Sequence, residues 1–285
     1  GAEVLQARRL QLQHQPEVQQ VVETILSDVR NGKDAAVKEY TLTLDKVHLD
    51  QLEVPKDMWI DAFNNLPTEL LTSLQLAAER VTKFHEASMP KGWMDIEQGY
   101  GELQLPIDRV GIYIPGGAAA YPSTVLMTAL PARVAGVREI VLVTPPGETG
   151  DANEFVLAAA HLAGVDRVFR VGGAQAIGAL AYGTETIPKV DLICGPGNVY
   201  VTMAKRLVYG IVGIDGLYGP TETVLIADCS ANPASCAADL IAQAEHDPLA
   251  TPIFITNCEE LLATVFQQIE HQMEGLARSE IARLA

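Results

Sequence analysis

The chain has 285 residues, 48% of them hydrophobic and 20% charged, with 36 acidic against 20 basic side chains and a formal net charge of −16. A field of that sign repels phosphate backbones and anionic lipid, which disfavours nucleic acid and membrane surfaces as partners. No apolar run approaches the roughly 18–20 residues that cross a bilayer, and the length suits two domains.

The opening stretch GAEVLQARRLQLQHQPEVQQ is polar and lacks the apolar run of a secretory signal. The cysteines, Cys194, Cys229, Cys236 and Cys258, show neither CxxC spacing nor a small-domain disulfide pattern, which suggests four free thiols in a reducing cytoplasm. QPEVQQVVETILSDVRNGKDAAVKEYTLTLDK and PTELLTSLQLAAERVTKFHEAS carry apolar residues at helical spacing and predict a helical N-terminal segment. MPKGWMDIEQGYGELQLPIDR, which follows, reads as irregular or hairpin structure.

From Arg109 onward, short runs rich in Val and Ile alternate with amphipathic helices. RVGIYI predicts a strand, followed by a helix over STVLMTALPARVAGV that Pro131 should kink or interrupt. EIVLVTP is the next strand, before the helix NEFVLAAAHLAGV. RVFRV then leads into AQAIGALAYG, VDLIC into VYVTMAKRLVYGIV, TVLIAD into ASCAADLIAQAEHD, and PIFIT into a helical tail. Such alternation argues βαβ units and parallel sheet, and right-handed crossovers make the layering doubly wound.

Three glycine-bearing loops, YIPGGAAAYPST, VGGAQAIG and CGPGNVY, follow predicted strand ends. Ligands bind at that edge of open α/β sheets, where helix N-termini present free N–H groups. None of the loops is GxGxxG and no GxxxxGK[ST] occurs, so neither the dinucleotide fingerprint nor a P-loop is present. Any one such loop is most simply a tight turn; three at successive strand ends favour a shared crevice.

Gln175 and Asn198 open predicted helices, where an amide caps the helix or contacts a ligand equally well. Tyr113 lies inside a strand and reads as core. Cys194, at a strand end, is a candidate nucleophile for thiol-dependent aldehyde oxidation, but without a basic neighbour it reads as an inert thiol. Gln243 and His246 are three apart at a helix end closed by Asp247-Pro248, so both leave one face of the last turn. That face can hold a metal, or it can be an ordinary C-terminal turn where the dipole favours an imidazolium. His14, His48, His85, His161 and His271 carry no ligand spacing.

Taken together, GIYIPGGAAAYPSTVLMTALPARVAGV, VGGAQAIGALAYGTETIPKVD, GPGNVYVTMAKR, GPTETVLIAD and AQAEHD resemble the histidinol dehydrogenase family, over about Glu17 to Thr256. The resemblance implies an α/β fold of two incomplete Rossmann-like units, with parallel sheets flanked by helices and a helical N-terminal segment before them. It divides the chain into a lead-in and first part of a discontinuous α/β domain (1–112), a Rossmann-like NAD-binding domain (113–222) and a return to the first domain (223–285). It further implies a zinc-dependent homodimeric enzyme that oxidises L-histidinol through L-histidinal to L-histidine while reducing NAD.

By motif, Tyr113, Gln175 and Asn198 would contact NAD. Gln243 and His246 would ligate zinc and face the substrate. Thr221 takes a substrate-contact position that is often Ser in the family. The family's catalytic Glu-His pair, a zinc-binding Asp and a C-terminal Glu and His all lie downstream of the PIFIT strand. With Ala285 as its last residue, the sequence resembles the first two-thirds of the enzyme, which predicts an incomplete zinc shell, no general base and no activity by itself. Two other readings are a catalytically dead NAD- or histidinol-binding module and an aldehyde-dehydrogenase-like enzyme using Cys194.

Overall fold

The computed structural model describes residues 16–116, 121–218, 221–276 and 278–285. Within them the chain begins as helix α1 (Pro16–Tyr40). Its residues Val22, Ile25, Leu26 and Val29 recur at i, i+3, i+4 and i+7, and all four are buried. A π-helical turn (Thr41–Asp45) ends this helix, with Lys46 in the left-handed region at φ 62°. Helices α2 (Lys56–Asn64) and α3 (Thr68–Ser88) follow, then a hairpin of β1 (Trp93–Asp95) and β2 (Tyr100–Glu102).

The alternation then runs β3 (Arg109–Tyr113), α4 (Pro122–Val134), β4 (Glu139–Thr144), α5 (Glu154–Leu162), β5 (Arg167–Arg170), α6 (Gly173–Tyr182), β6 (Leu192–Cys194), α7 (Val199–Val208) and β7 (Gly213–Ile214). Five parallel strands form one sheet in the order β5-β4-β3-β6-β7. The register sets Ile112 beside Leu142 on one side and Cys194 on the other. Side-chain alternation splits the core into two layers. Tyr113, Val141, Val143, Phe169 and Ile193 pack with α1, α6 and α7. Val110, Ile112, Ile140, Leu142 and Val168 pack with α2, α3, α4 and α5. A strand covered on both faces must be apolar throughout, which is why RVGIY and EIVLVT read as unbroken runs.

The second compact unit begins at Tyr218. It holds β8 (Glu222–Ala227), α8 (Pro233–Ala244), β9 (Thr251–Thr256), α9 (Glu259–Met273) and the short α10 (Ser279–Ala282). The side chain of Asn232 caps α8 by accepting from the Ala234 and Ser235 N–H groups at 2.9 and 3.2 Å. β8 and β9 pair in parallel, and Cys236, Ala237, Leu240, Leu261 and Val265 form the core between them and α8 and α9. The other sheet face carries Val224, Ile226 and Ile255, which are 50%, 75% and 50% exposed.

Two expectations change. Pro131 does not interrupt its helix: α4 runs from Pro122 to Val134, so the amide hydrogen that proline lacks is missing only in the last turn. The cysteines are not all free. Cys229 and Cys258 form a disulfide with Cα atoms 5.4 Å apart, leaving Cys194 and Cys236 as free thiols. Register is the cause: Ala227 is opposite Thr256, so the residues two beyond each strand end meet. Cysteine usage therefore gives no support to a reducing compartment. The compact units part between Leu217 and Tyr218, and within the first unit the lead-in helices pack on the five-stranded sheet.

Candidate functional site

In the order β5-β4-β3-β6-β7 the chain direction of the windings reverses between β3 and β6. Connections on the two sides of that point leave in opposite directions, so a crevice opens above the C-terminal ends of these strands. Tyr113 ends β3 and Cys194 ends β6. The predicted NAD-contacting residues gather around them.

Tyr113 is 3% exposed, and its phenol oxygen accepts the Gly173 N–H at 3.2 Å, tying β3 to the start of α6. Burial pushes its pKa up to about 12, the Gly173 N–H works against that, and the charge of Asp45 adds to it. Gly195 sits at φ +113°, and a Cβ there would run into the Tyr113 carbonyl oxygen, so only glycine fits. Pro145, just after β4, crowds Gly116 and Gly172 in the same way. The three glycine loops thus bear on one another through Tyr113 and Pro145, although residues 117–120 of the first lie outside the described residues.

The CGPGN loop is also held from below. The ammonium of Lys205, 2% exposed, donates to the Gly195 carbonyl oxygen at 2.9 Å and to Asp215 Oδ1. Asp215 Oδ2 accepts the Gly195 N–H at 2.8 Å. Asn198 is exposed and acts as the α7 N-cap, its Oδ1 accepting from the Tyr200 and Val201 N–H groups at 3.1 Å each. Its Oδ1 is therefore committed to the helix, and its Nδ2 is the group left for a ligand. Gln175 is different. It is 1% exposed in the first turn of α6, and its Oε1 has no hydrogen-bond partner. A buried, orphaned amide oxygen beside a strand-end crevice fits a bound donor such as a nucleotide hydroxyl or amide.

Cys194 is half-buried, and burial first, then the Asp215 charge, push its thiol up to about 12, with Lys205 acting the other way. An activated thiol nucleophile needs the opposite shift.

In the second unit, Thr223, Asp239, Gln243 and His246 line a cavity of about 270 Å³. Thr223 Oγ1 donates to Gln243 Oε1 at 2.8 Å, which fixes the amide's orientation. The helix ends sooner than its sequence suggests: α8 stops at Ala244, and His246 lies beyond it, its N–H donating to the Gln243 carbonyl oxygen at 3.3 Å. Both side chains still face one cavity. The amide oxygen and imidazole fit part of a metal shell, while no cluster of three His, Cys, Asp or Glu occurs among the described residues. Thr221 stands exposed just before β8, its carbonyl oxygen accepting the Thr251 N–H at 3.1 Å, and is not among the cavity-lining residues. Asp45, Lys205, Asp215 and Pro145 carry no sequence signal for a site, because each is placed by tertiary packing.

The histidinol dehydrogenase family profile matches residues 8–285. The chain belongs to the histidinol dehydrogenase family. It is 51% identical over 279 residues to the histidinol dehydrogenase of Parasynechococcus marenigrum (strain WH8102), an alignment covering 96% of this chain and 63% of that one. The corresponding protein of Dehalococcoides mccartyi (strain CBDB1) is 50% identical over 266 residues, covering 93% and 61%. The crystal structure of histidinol dehydrogenase from Elizabethkingia anophelis matches with a TM-score of 0.90 at 41% identity, over 94% of this chain and 63% of that one. The chain therefore spans less than two thirds of these histidinol dehydrogenases.

Proposed function

We propose that this chain carries the NAD crevice and part of the zinc site of an enzyme that oxidises L-histidinol through L-histidinal to L-histidine. The observation that carries the reading is the convergence of Tyr113, Gly173 and Gly195 at the reversal point of a Rossmann-ordered sheet, in a chain of this family. Gln175 Oε1 and Asn198 Nδ2 would bind NAD, and the glycines let its phosphates approach the backbone. Gln243 and His246 would hold zinc, which when bound supplies a grip on the imidazole and amino nitrogens of histidinol. Thr221 would contact the substrate through its hydroxyl.

Neither Tyr113 nor Cys194 serves as the base, since both keep their protons to about pH 12. The same proposal takes the complete protein to be a homodimer in which residues 1–112 and 223–285 share a discontinuous domain. Limited proteolysis near Leu217 followed by gel filtration tests the grouping: fragments that separate without denaturant would refute it.

Calorimetric titration of NAD into the chain and its Gln175→Leu variant tests the crevice. Loss of one amide hydrogen bond should weaken binding about 2- to 10-fold. Unchanged affinity would overturn the placement. Gln175 is the cleaner probe, because Asn198→Leu also removes a helix cap.

A further inference from the structure

Side chains of β8 alternate between two surroundings. Val224 and Ile226 are 50% and 75% exposed on one face. Leu225 and Ala227, on the other, pack against the core formed with α8 and α9. Thr223 belongs to this second row by its spacing and is half-buried like its neighbours there. It is the polar member of the row.

Valine has nearly the same shape and favours strands as strongly, so packing alone gives no reason for threonine. The hydroxyl is the difference, and it has a specific use. Thr223 Oγ1 donates to Gln243 Oε1 at 2.8 Å, from β8 across to the last turn of α8. Both residues line the cavity of about 270 Å³ that His246 also lines. The backbone continues the connection: the Gln243 carbonyl oxygen accepts the His246 N–H at 3.3 Å just past the helix end. One series of bonds therefore runs from the strand to the amide side chain, and from the same residue to the one that carries the imidazole.

A glutamine amide is a demanding ligand. Its oxygen is neutral and holds a cation less strongly than an imidazole or a carboxylate does. Its long stem is also free to rotate, and that freedom is lost when the amide is fixed on an ion. A hydroxyl that already holds Oε1 removes part of this cost before any ion arrives. Oε1 keeps a second lone pair after accepting from Thr223, so the bond leaves it able to coordinate.

We propose that Thr223 is a positioning residue of the metal centre: its hydroxyl holds Gln243 ready as an oxygen ligand and so raises the affinity of the cavity for the ion. The proposal rests on the zinc reading of Gln243 and His246 above, and it adds a residue that acts through Gln243 without touching the metal. A bond that merely satisfied a half-buried hydroxyl would behave differently. Its loss would lower stability and leave metal affinity alone.

The test uses the complete protein, with zinc affinity read by competition with a chromogenic chelator and folding by circular dichroism. Thr223→Val should weaken zinc binding about 10-fold, the lower end of the range for a lost outer-shell partner, and no more than Gln243→Leu does. Thr223→Ser keeps the hydroxyl and should stay within about 3-fold of the parent. In a Gln243→Leu background, Thr223→Val should have no further effect on zinc, because the group it acts through is gone. If the valine variant folds poorly, Thr223→Ala provides the same comparison with Thr223→Ser. Unchanged zinc affinity in the folded valine or alanine variant, a loss that Thr223→Ser shares, or an equal loss in the Gln243→Leu background would each overturn the proposal. Full zinc affinity in His246→Ala would instead remove the zinc reading itself, and the proposal with it.

Discussion

Lys205 and Asp215 grip the same glycine from opposite sides: Lys205 Nζ donates to the Gly195 carbonyl oxygen at 2.9 Å, while Asp215 Oδ2 accepts its N–H at 2.8 Å. The two side chains also pair with each other, and Lys205 is 2% exposed. Burying an ammonium is tolerable only with such partners. The pair thereby fixes the loop that must stay open at the crevice without contributing a side chain to it.

Removing one member should be costly and removing both less so. Lys205→Met is expected to destabilise the first unit by about 3 kcal/mol, the order seen when a buried pair is broken. Adding Asp215→Asn should recover a good part of that loss. Urea denaturation checks it; a single variant with an unchanged midpoint would show that the loop does not depend on the pair.

The alkaline limb of stability carries a second expectation. A thiol ordinarily ionises near 9.0 and a phenol near 10.0, whereas Cys194 and Tyr113 in the fold hold their protons to about 12. Below about pH 9 both states are protonated and neither group gives a pH dependence. Between about 9 and 12 the unfolded chain has lost protons that the native state keeps, so stability falls as pH rises, by up to ~1.4 kcal/mol per unit for each group. Cys194→Ala should flatten the fall in its first unit. An unchanged slope in that variant would mean that the thiol ionises normally in the fold.

The Cys229–Cys258 bridge closes a segment with a sequence separation of 29 that contains α8. Chain-entropy arguments put the stabilisation from a loop of that length at roughly 3.6 kcal/mol. Alkylation of the denatured, unreduced chain should label two of its four cysteines, and Cys229→Ser should lower the melting temperature of the second unit by several degrees. Four labelled cysteines would contradict the pairing.

For the metal, the informative material is the complete protein. His246→Ala should lower its zinc content sharply and leave NAD binding intact, as measured by elemental analysis beside calorimetry. Gln243→Leu should do less, since an amide oxygen is a weaker donor than imidazole. Full zinc occupancy in His246→Ala would remove this cavity from consideration.

The strands with Val and Ile and the long amphipathic helices were legible in the sequence because burial on one or two faces writes a period directly. β7 has two residues and no period to detect. α2 is nine residues long and carries only a short signal, with Pro55 before it and Trp59 as its buried anchor. The site was legible only where a motif names it. Lys205 in VTMAKRLV looks like any helix-surface lysine, and its burial depends on Asp215, ten residues later and beyond β7. Asp45 reads as a helix-end carboxylate, and its unpaired oxygen is a property of how α1 meets the sheet. The disulfide needed the parallel register of β8 and β9 before its spacing meant anything.

The bare face of β8 and β9 has a consequence for synthesis. A two-stranded sheet is marginal by itself: α8 and α9 hold β8 and β9 on one face, while Val224, Ile226 and Ile255 stand in water on the other. The five strands before it have both faces covered by helices, all of which precede β8 in the chain. Vectorial folding would therefore complete the first unit early and leave β8–α8–β9 waiting, with its sticky face turned outward, for whatever covers it. The released chain should then be cut by protease more readily beyond about Leu217 than before it, and it should recruit holdase chaperones through that face.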